Sequence, residues 1–99
     1  MNANASDMNT SLPKTPQQIR EDLVARVRTR RNAMGLSQQR LAAKSGVSLG
    51  SIKRFERVGE ISLTSLIKVA FALECEDDLT HLFAQNYYTS IQEIIDAQR

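Results

Sequence analysis

The stretch LSQQRLAAKSGVSLGSIKRFE, Leu36 to Glu56, decides the fold of this chain. It holds two short helical patterns hinged on a glycine. Ser37 is placed to cap a helix from Gln38 to Lys44 or Ser45 with Leu41 and Ala42 inward, and Gly46 breaks it as a residue of positive φ. Ser48 then caps a third helix that should run to about Val58. On its wheel Ile52, Phe55 and Glu56 share one side, while Gly50, Lys53, Arg54 and Arg57 lie on the other. The inner face reads as packing and the outer as a cationic surface; Glu56 is the first carboxylate of the stretch.

Working upstream, Thr15, Pro16 and Gln18 form a helix start with a capping box, and the first helix should reach about Met34, with Gly35 as its stop. Ile19, Leu23 and Val27 make an apolar stripe whose next member is Arg31. A guanidinium aimed at the edge of a core needs a carboxylate, and Glu56 is the only one between Leu23 and Gly59. The spacing predicts an Arg31–Glu56 ion pair that ties the first helix to the third.

Downstream, Gly59 stops the third helix and Ser62 caps a fourth, with Leu63, Leu66, Ile67 and Ala70 expected as one buried stripe. ECEDDLTHLF gives a short fifth helix with Glu76, Asp77 and Asp78 in its first turn, where the helix dipole favours negative charge. Adjacent carboxylates on a helix point apart, so no metal site is expected there. In YYTSIQEIIDAQR, Ser90 and Glu93 have capping-box spacing, and Ile91, Ile94 and Ile95 make a narrow stripe on a helix of about two turns. So short a helix must dock on something: this domain, a second subunit or another protein. Tyr87, Tyr88, Ile91, Ile94 and Ile95 are the expected partner-binding residues.

A chain of 99 residues with 41% apolar content builds one small core. Five aromatics, no Trp and no runs of alternating Val, Ile, Thr and Tyr point to an all-α fold. Residues 1–14, rich in Asn, Ala, Ser and Thr, read as a disordered arm, 15–84 as the folded domain and 85–99 as a C-terminal extension. No apolar stretch approaches a membrane span and the N-terminus has no leader pattern, so a cytoplasmic protein with no membrane association is expected. Cys75 has no second thiol, and His81, the sole histidine, has no spaced nucleophile or phosphate-cradling glycine loop. No enzyme activity and no cofactor are expected.

Charge is divided unevenly. Arg20 to Arg57 carries ten Lys or Arg against three acids, whereas Val58 to Arg99 carries two against seven. A cationic half-surface attracts polyanions, nucleic acid first among them.

Two short helices joined by a glycine turn, the second with a basic, small-residue outer face, describe a helix-turn-helix. The string Gln38-x-x-Leu41-Ala42-x-x-x-Gly46-Val47-Ser48-x-x-x-Ile52-x-x-x-Glu56, preceded by Arg31 and followed by the LIKVAFAL helix, resembles the Cro and C1 repressor-like, or xenobiotic response element, family. The resemblance covers about Glu21 to Phe83. It implies a five-helix lambda-repressor-like domain that binds double-stranded DNA as a homodimer on an inverted repeat. Carried over by position, Gln38 and Ser48 become phosphate contacts, and Leu49, Gly50, Ser51 and Arg54 fall where relatives read base edges, with Lys53 and Arg57 beside them. Arg31 and Glu56 match the family's interhelical ion pair. Leu49 and Gly50 depart from the long polar residues common there, which leaves readout to Arg54, Ser51 and contact of Leu49 with a thymine methyl.

Residues 48–83 also look like the small regulators related to HipB, which implies an antitoxin partnered with a HipA-like kinase toxin. A stand-alone phage or host regulator, a restriction-modification controller, and an interaction adaptor that no longer binds DNA are the alternatives.

Overall fold

A computed structural model of the chain describes residues 14–84 and 87–98, without the side chains of 87–91. The described residues form six helices and no strand: α1 (Pro16–Ala33), α2 (Gln38–Ser45), α3 (Leu49–Val58), α4 (Leu63–Ala72), α5 (Glu76–Thr80) and α6 (Tyr87–Ala97). The expected all-α class, with a short C-terminal helix after five others, is what is found.

The local chemistry explains where each helix begins. Thr15 and Gln18 close a reciprocal capping box on α1, and the hydroxyls of Ser37, Ser48 and Ser62 each accept from the backbone N–H three residues on. The Gly46 and Gly59 caps of α2 and α3 adopt left-handed φ of 76° and 77°. Gly59 has a second reason to lack a side chain, because a Cβ there would collide with the aliphatic stem of Arg20 on α1. Lys14, the last residue of the expected arm, pairs with Asp22 of α1; residues 1–13 lie outside those described.

Leu41, Ala42, Val47, Ile52, Val69, Ala72 and Leu73 form the core, with Met34, Leu36, Leu49 and Ile61 packed on its margin. α2 sits between α3 and α4, α1 lies on α3, and α5 lies on α4. Ala42 is small where α2 and α3 pass closely, while Val47 and Ile52 fill the angle between them. The turn between α2 and α3 is therefore locked by packing as well as by Gly46.

Three expectations need correction. On α1, Ile19 is exposed and Leu23 and Val27 are only half-buried, whereas Val24 is buried. α1 meets the rest of the fold mainly through α3, so its contact line passes one residue away from the stripe that apolar spacing suggests. On α4 the core takes Val69, Ala70, Ala72 and Leu73, while Leu63 (66% exposed), Ile67 and Phe71 (61% exposed) face outward. That helix is apolar on nearly every side, and its spacing alone does not say which stripe turns in. The last helix begins at Tyr87, so Ser90 lies inside it rather than capping it, and it runs about three turns instead of two.

One fastening has no sequence signature. Arg30 reaches from α1 to the end of α4, where its Nε donates to the Leu73 carbonyl (2.9 Å) and its Nη2 to that of Glu74 (3.1 Å). These oxygens have no helical partner of their own.

Candidate nucleic-acid interface

The site begins with the carboxylate beneath it. Glu56 is on the inner face of α3, its side chain only 3% exposed, and a charge so buried must be matched. Arg31, 11% exposed, meets it with a two-pronged fork: Nε donates to Oε2 at 2.7 Å and Nη2 to Oε1 at 2.9 Å. The remaining Nη1 of Arg31 donates to the Leu36 carbonyl at 2.9 Å, which fixes the loop into α2. The pair read from sequence is present.

Two further donors join it. Gln38, the first residue of α2, donates its side-chain amide to Glu56 Oε1 at 3.0 Å, and Arg28 donates from Nη2 to the Glu56 backbone carbonyl at 2.8 Å and, at the longer distance of 3.5 Å, from Nε to Oε1. Burial by itself would push the Glu56 carboxyl up; the hydrogen bonds from Arg31 and Gln38, with the Arg31 charge, outweigh it and hold the group below its ordinary value. One carboxylate thus joins α1, α2 and α3, the three helices that define the pose of the outer face. Arg28 and Gln38 were not foreseen as its partners, because contact across three helices leaves no spacing to read.

Over this hub, α3 turns its other side outward. Gly50, Lys53, Arg54 and Arg57 are exposed, as the wheel predicts. A ten-residue helix is about 15 Å long, and the major groove of B-DNA admits such a helix side-on. At Gly50 a Cβ would meet nothing within 4 Å and φ is helical, so neither packing nor backbone conformation calls for glycine there.

The other expected contacts are arranged less simply. Ser48 accepts from the Ser51 N–H and also donates to Ser51 Oγ (2.9 Å), which leaves the Ser51 hydroxyl proton for an outside acceptor. Leu49 is half-buried on the core margin, which limits its reach toward a thymine methyl. Gln38 is half-buried and spends one amide N–H on Glu56, so it can offer a phosphate its second N–H and the free backbone donors of the α2 N-terminus. Arg54 is not a free cation: its Nη2 is ion-paired with Glu60, in the loop before α4. The Arg54–Glu60 pair has no signature in the helical spacing, because Glu60 lies beyond the Gly59 stop and returns to α3 only through that turn.

In α6, Ile94 and Ile95 are exposed, while the side chains of Tyr87, Tyr88 and Ile91 lie outside those described. Burial pushes the Cys75 thiol up, more than the nearby Arg30 lowers it. Among the described residues no group of three or more His, Cys, Asp or Glu is placed to hold a metal ion, and no helix is long and apolar enough to cross a membrane.

Comparison with known proteins agrees with this geometry. No curated protein and no solved structure matches the chain. A helix-turn-helix family model matches residues 27–79, more than half of the sequence and all of α2, α3 and α4. The chain therefore belongs to the helix-turn-helix family of Cro/C1-type, xenobiotic response element regulators, whose domain serves DNA binding in transcription regulation.

Proposed function

We propose that the protein is a sequence-specific repressor that binds double-stranded DNA as a homodimer over an inverted repeat, with α3 in the major groove. The observation that carries this reading is the two-sidedness of α3. Its inner face is fixed by Ile52, Phe55 and the Glu56 hub, and its outer face offers Gly50, Lys53, Arg54 and Arg57 to solvent. Phosphate attraction by Lys53 and Arg57 would set position and Arg54 would read a base, as guanine O6 and N7 suit a guanidinium. One such domain covers too little DNA for tight binding, and two copies double the contact.

Homodimerisation draws support from the apolar side chains left in water on the opposite side of the sequence: Leu63, Ile67 and Phe71 on α4, and Leu82 and Phe83 after α5. A cytoplasmic location follows from the proposed work on DNA. The narrower reading, an antitoxin that also binds a HipA-like kinase toxin, rests on the resemblance of residues 48–83 and is tested by co-purification with such a kinase. Capture through the C-terminal extension would support it.

The deciding experiment is fluorescence anisotropy on duplex from upstream of the protein's own gene against scrambled duplex, at two salt concentrations. Preference that survives the higher salt is expected; equal binding that salt erases would refute specific recognition. Arg54→Ala should reduce discrimination against altered sites by about 1 to 3 kcal/mol without unfolding the protein. Equal loss on every sequence would demote Arg54 to a phosphate contact.

A further inference from the structure

Among the described residues, Lys53 and Arg57 have no carboxylate at ion-pair distance, whereas Arg54 has Glu60. The two residues belong to different elements. Arg54 is on the outer face of α3, and Glu60 follows the Gly59 stop, whose left-handed turn brings the chain back beside the helix it has just left. They line one open groove of about 390 Å³ with Ser51, Ile61, Ser62 and Ser65, between α3 and the start of α4. More than half of each side chain is exposed, so the pair contributes little to stability and its place at the interface calls for another reason.

An unpaired arginine beside a polyanion goes to the nearest phosphate, wherever that lies and whatever the sequence. A carboxylate already joined to one edge of the guanidinium changes this. It occupies one donor, restrains the plane of the fork, and repels phosphate from the place where Arg54 is held. The remaining donors can then meet an acceptor that sits deeper in the groove and carries no full charge, which describes the edge of a guanine and not a phosphate.

We infer that Glu60 is a specificity-determining residue: it positions Arg54 for a base edge and keeps it from serving as a general phosphate contact. The inference rests on the DNA-binding reading above. Glu60 exchanges affinity for discrimination, and it acts through Arg54 without needing to touch DNA.

The test uses the full chain and the tightest duplex that the wild-type protein selects from a randomised pool, with every single-base variant of that duplex and a scrambled control. Glu60→Ala should bind the scrambled duplex about tenfold more tightly at low salt, with a slope of log affinity against log salt steeper by roughly 0.9, one added phosphate contact. Its discrimination at the base pair read by Arg54 should fall on the order of tenfold. Glu60→Gln, which keeps an acceptor but no charge, should fall between Glu60→Ala and wild type. In an Arg54→Ala background, Glu60→Ala should change neither discrimination nor slope. Wild-type discrimination and slope in Glu60→Ala would overturn the inference, and so would an equal gain on scrambled duplex with Arg54 absent, since that gain would be general charge. Failure of the DNA reading itself looks different: the wild-type protein would then enrich no duplex from the pool.

Discussion

The two halves of this small fold are held together by different physics. From α1 to α3 the helices share one buried carboxylate, with Arg31 and Gln38 on its oxygens and Arg28 on its backbone carbonyl, and both α2 and α3 stop at glycines. From α4 onward the fastening is mainly apolar: Val69, Ala70, Ala72 and Leu73 face the core and Arg30 adds two hydrogen bonds at the end of α4, while a second stripe on the same helix stays in water. The charged hub has directional bonds and sets one relative pose of three helices, as the proposed insertion of α3 into a groove would require. Apolar packing is less directional, and its surplus on α4 suits a surface still to be covered.

The largest effect should come from breaking the hub. Glu56→Ala removes the one acceptor of the Arg31 fork and leaves a guanidinium 11% exposed without a counter-charge, a loss of about 3 to 5 kcal/mol. For a domain of this size each kcal/mol is worth roughly 4 to 8 °C in melting temperature, so thermal melts by circular dichroism should fall by more than 10 °C. A melt within a few degrees of wild type would show that the hub is dispensable. Acid gives a gentler version. Because the folded-state pKa of Glu56 is depressed, its contribution is present above the ordinary value near 4.5 and is lost as pH falls through the lower folded value. Glu56→Gln should therefore be less stable than wild type at neutral pH, and the gap should narrow below about pH 4.5.

The apolar half offers the opposite experiment. Phe71 is exposed, so Phe71→Ser should leave the monomer folded, yet weaken self-association by roughly 2 kcal/mol if the stripe is covered by a second copy. Sedimentation equilibrium would read this as a dissociation constant raised about thirtyfold. An unchanged constant would move the dimer contact elsewhere, with Ile94 and Ile95 of α6 the next residues to replace.

How much of this was legible in the sequence follows the same division. Caps, glycine stops and the helix-turn-helix spacing are local, so the starts of the first four helices and the ends of the first three were legible to within a residue or two, whereas the fifth, expected within residues 74–83, spans only Glu76–Thr80. The Arg31–Glu56 pair was legible because an arginine in an apolar stripe has few possible counter-charges nearby. Gln38, Arg28 and Arg30 were not, since their partners are 18 to 44 residues away and include backbone carbonyls, which every residue has. The α4 stripe was misread for a related reason: apolar spacing tells that a face will be covered and does not tell what covers it. At the interface, the sequence named the outer face of α3 but not the state of its arginine, which depends on how the Gly59 turn returns Glu60 to it.

The smallest effects make the sharpest contrast, because two substitutions of similar energy should differ only in what DNA notices. α4 ends with the left-handed residue Glu74, φ 59°, where the Cys75 N–H bonds to the Ala70 carbonyl and the Glu74 N–H to that of Phe71. A glycine fits that geometry without the Cβ penalty, so Glu74→Gly should stabilise the fold by about 1 kcal/mol, less the extra entropy of the unfolded chain. In α3, glycine occupies a helical position with open space around it, so Gly50→Ala should also gain up to about 1 kcal/mol. Both variants should melt a few degrees higher. Glu74 is in the half assigned to self-association, and its replacement should leave duplex affinity within twofold of wild type. Gly50 is exposed on the face of α3 proposed to enter the groove, and if helix propensity has been given up there so that the backbone can approach DNA, the added methyl group should weaken binding several-fold while the fold gains stability. A Gly50→Ala protein that binds as well as wild type would mean that the backbone of α3 stays clear of the DNA at this position, and would leave the glycine without a role in recognition.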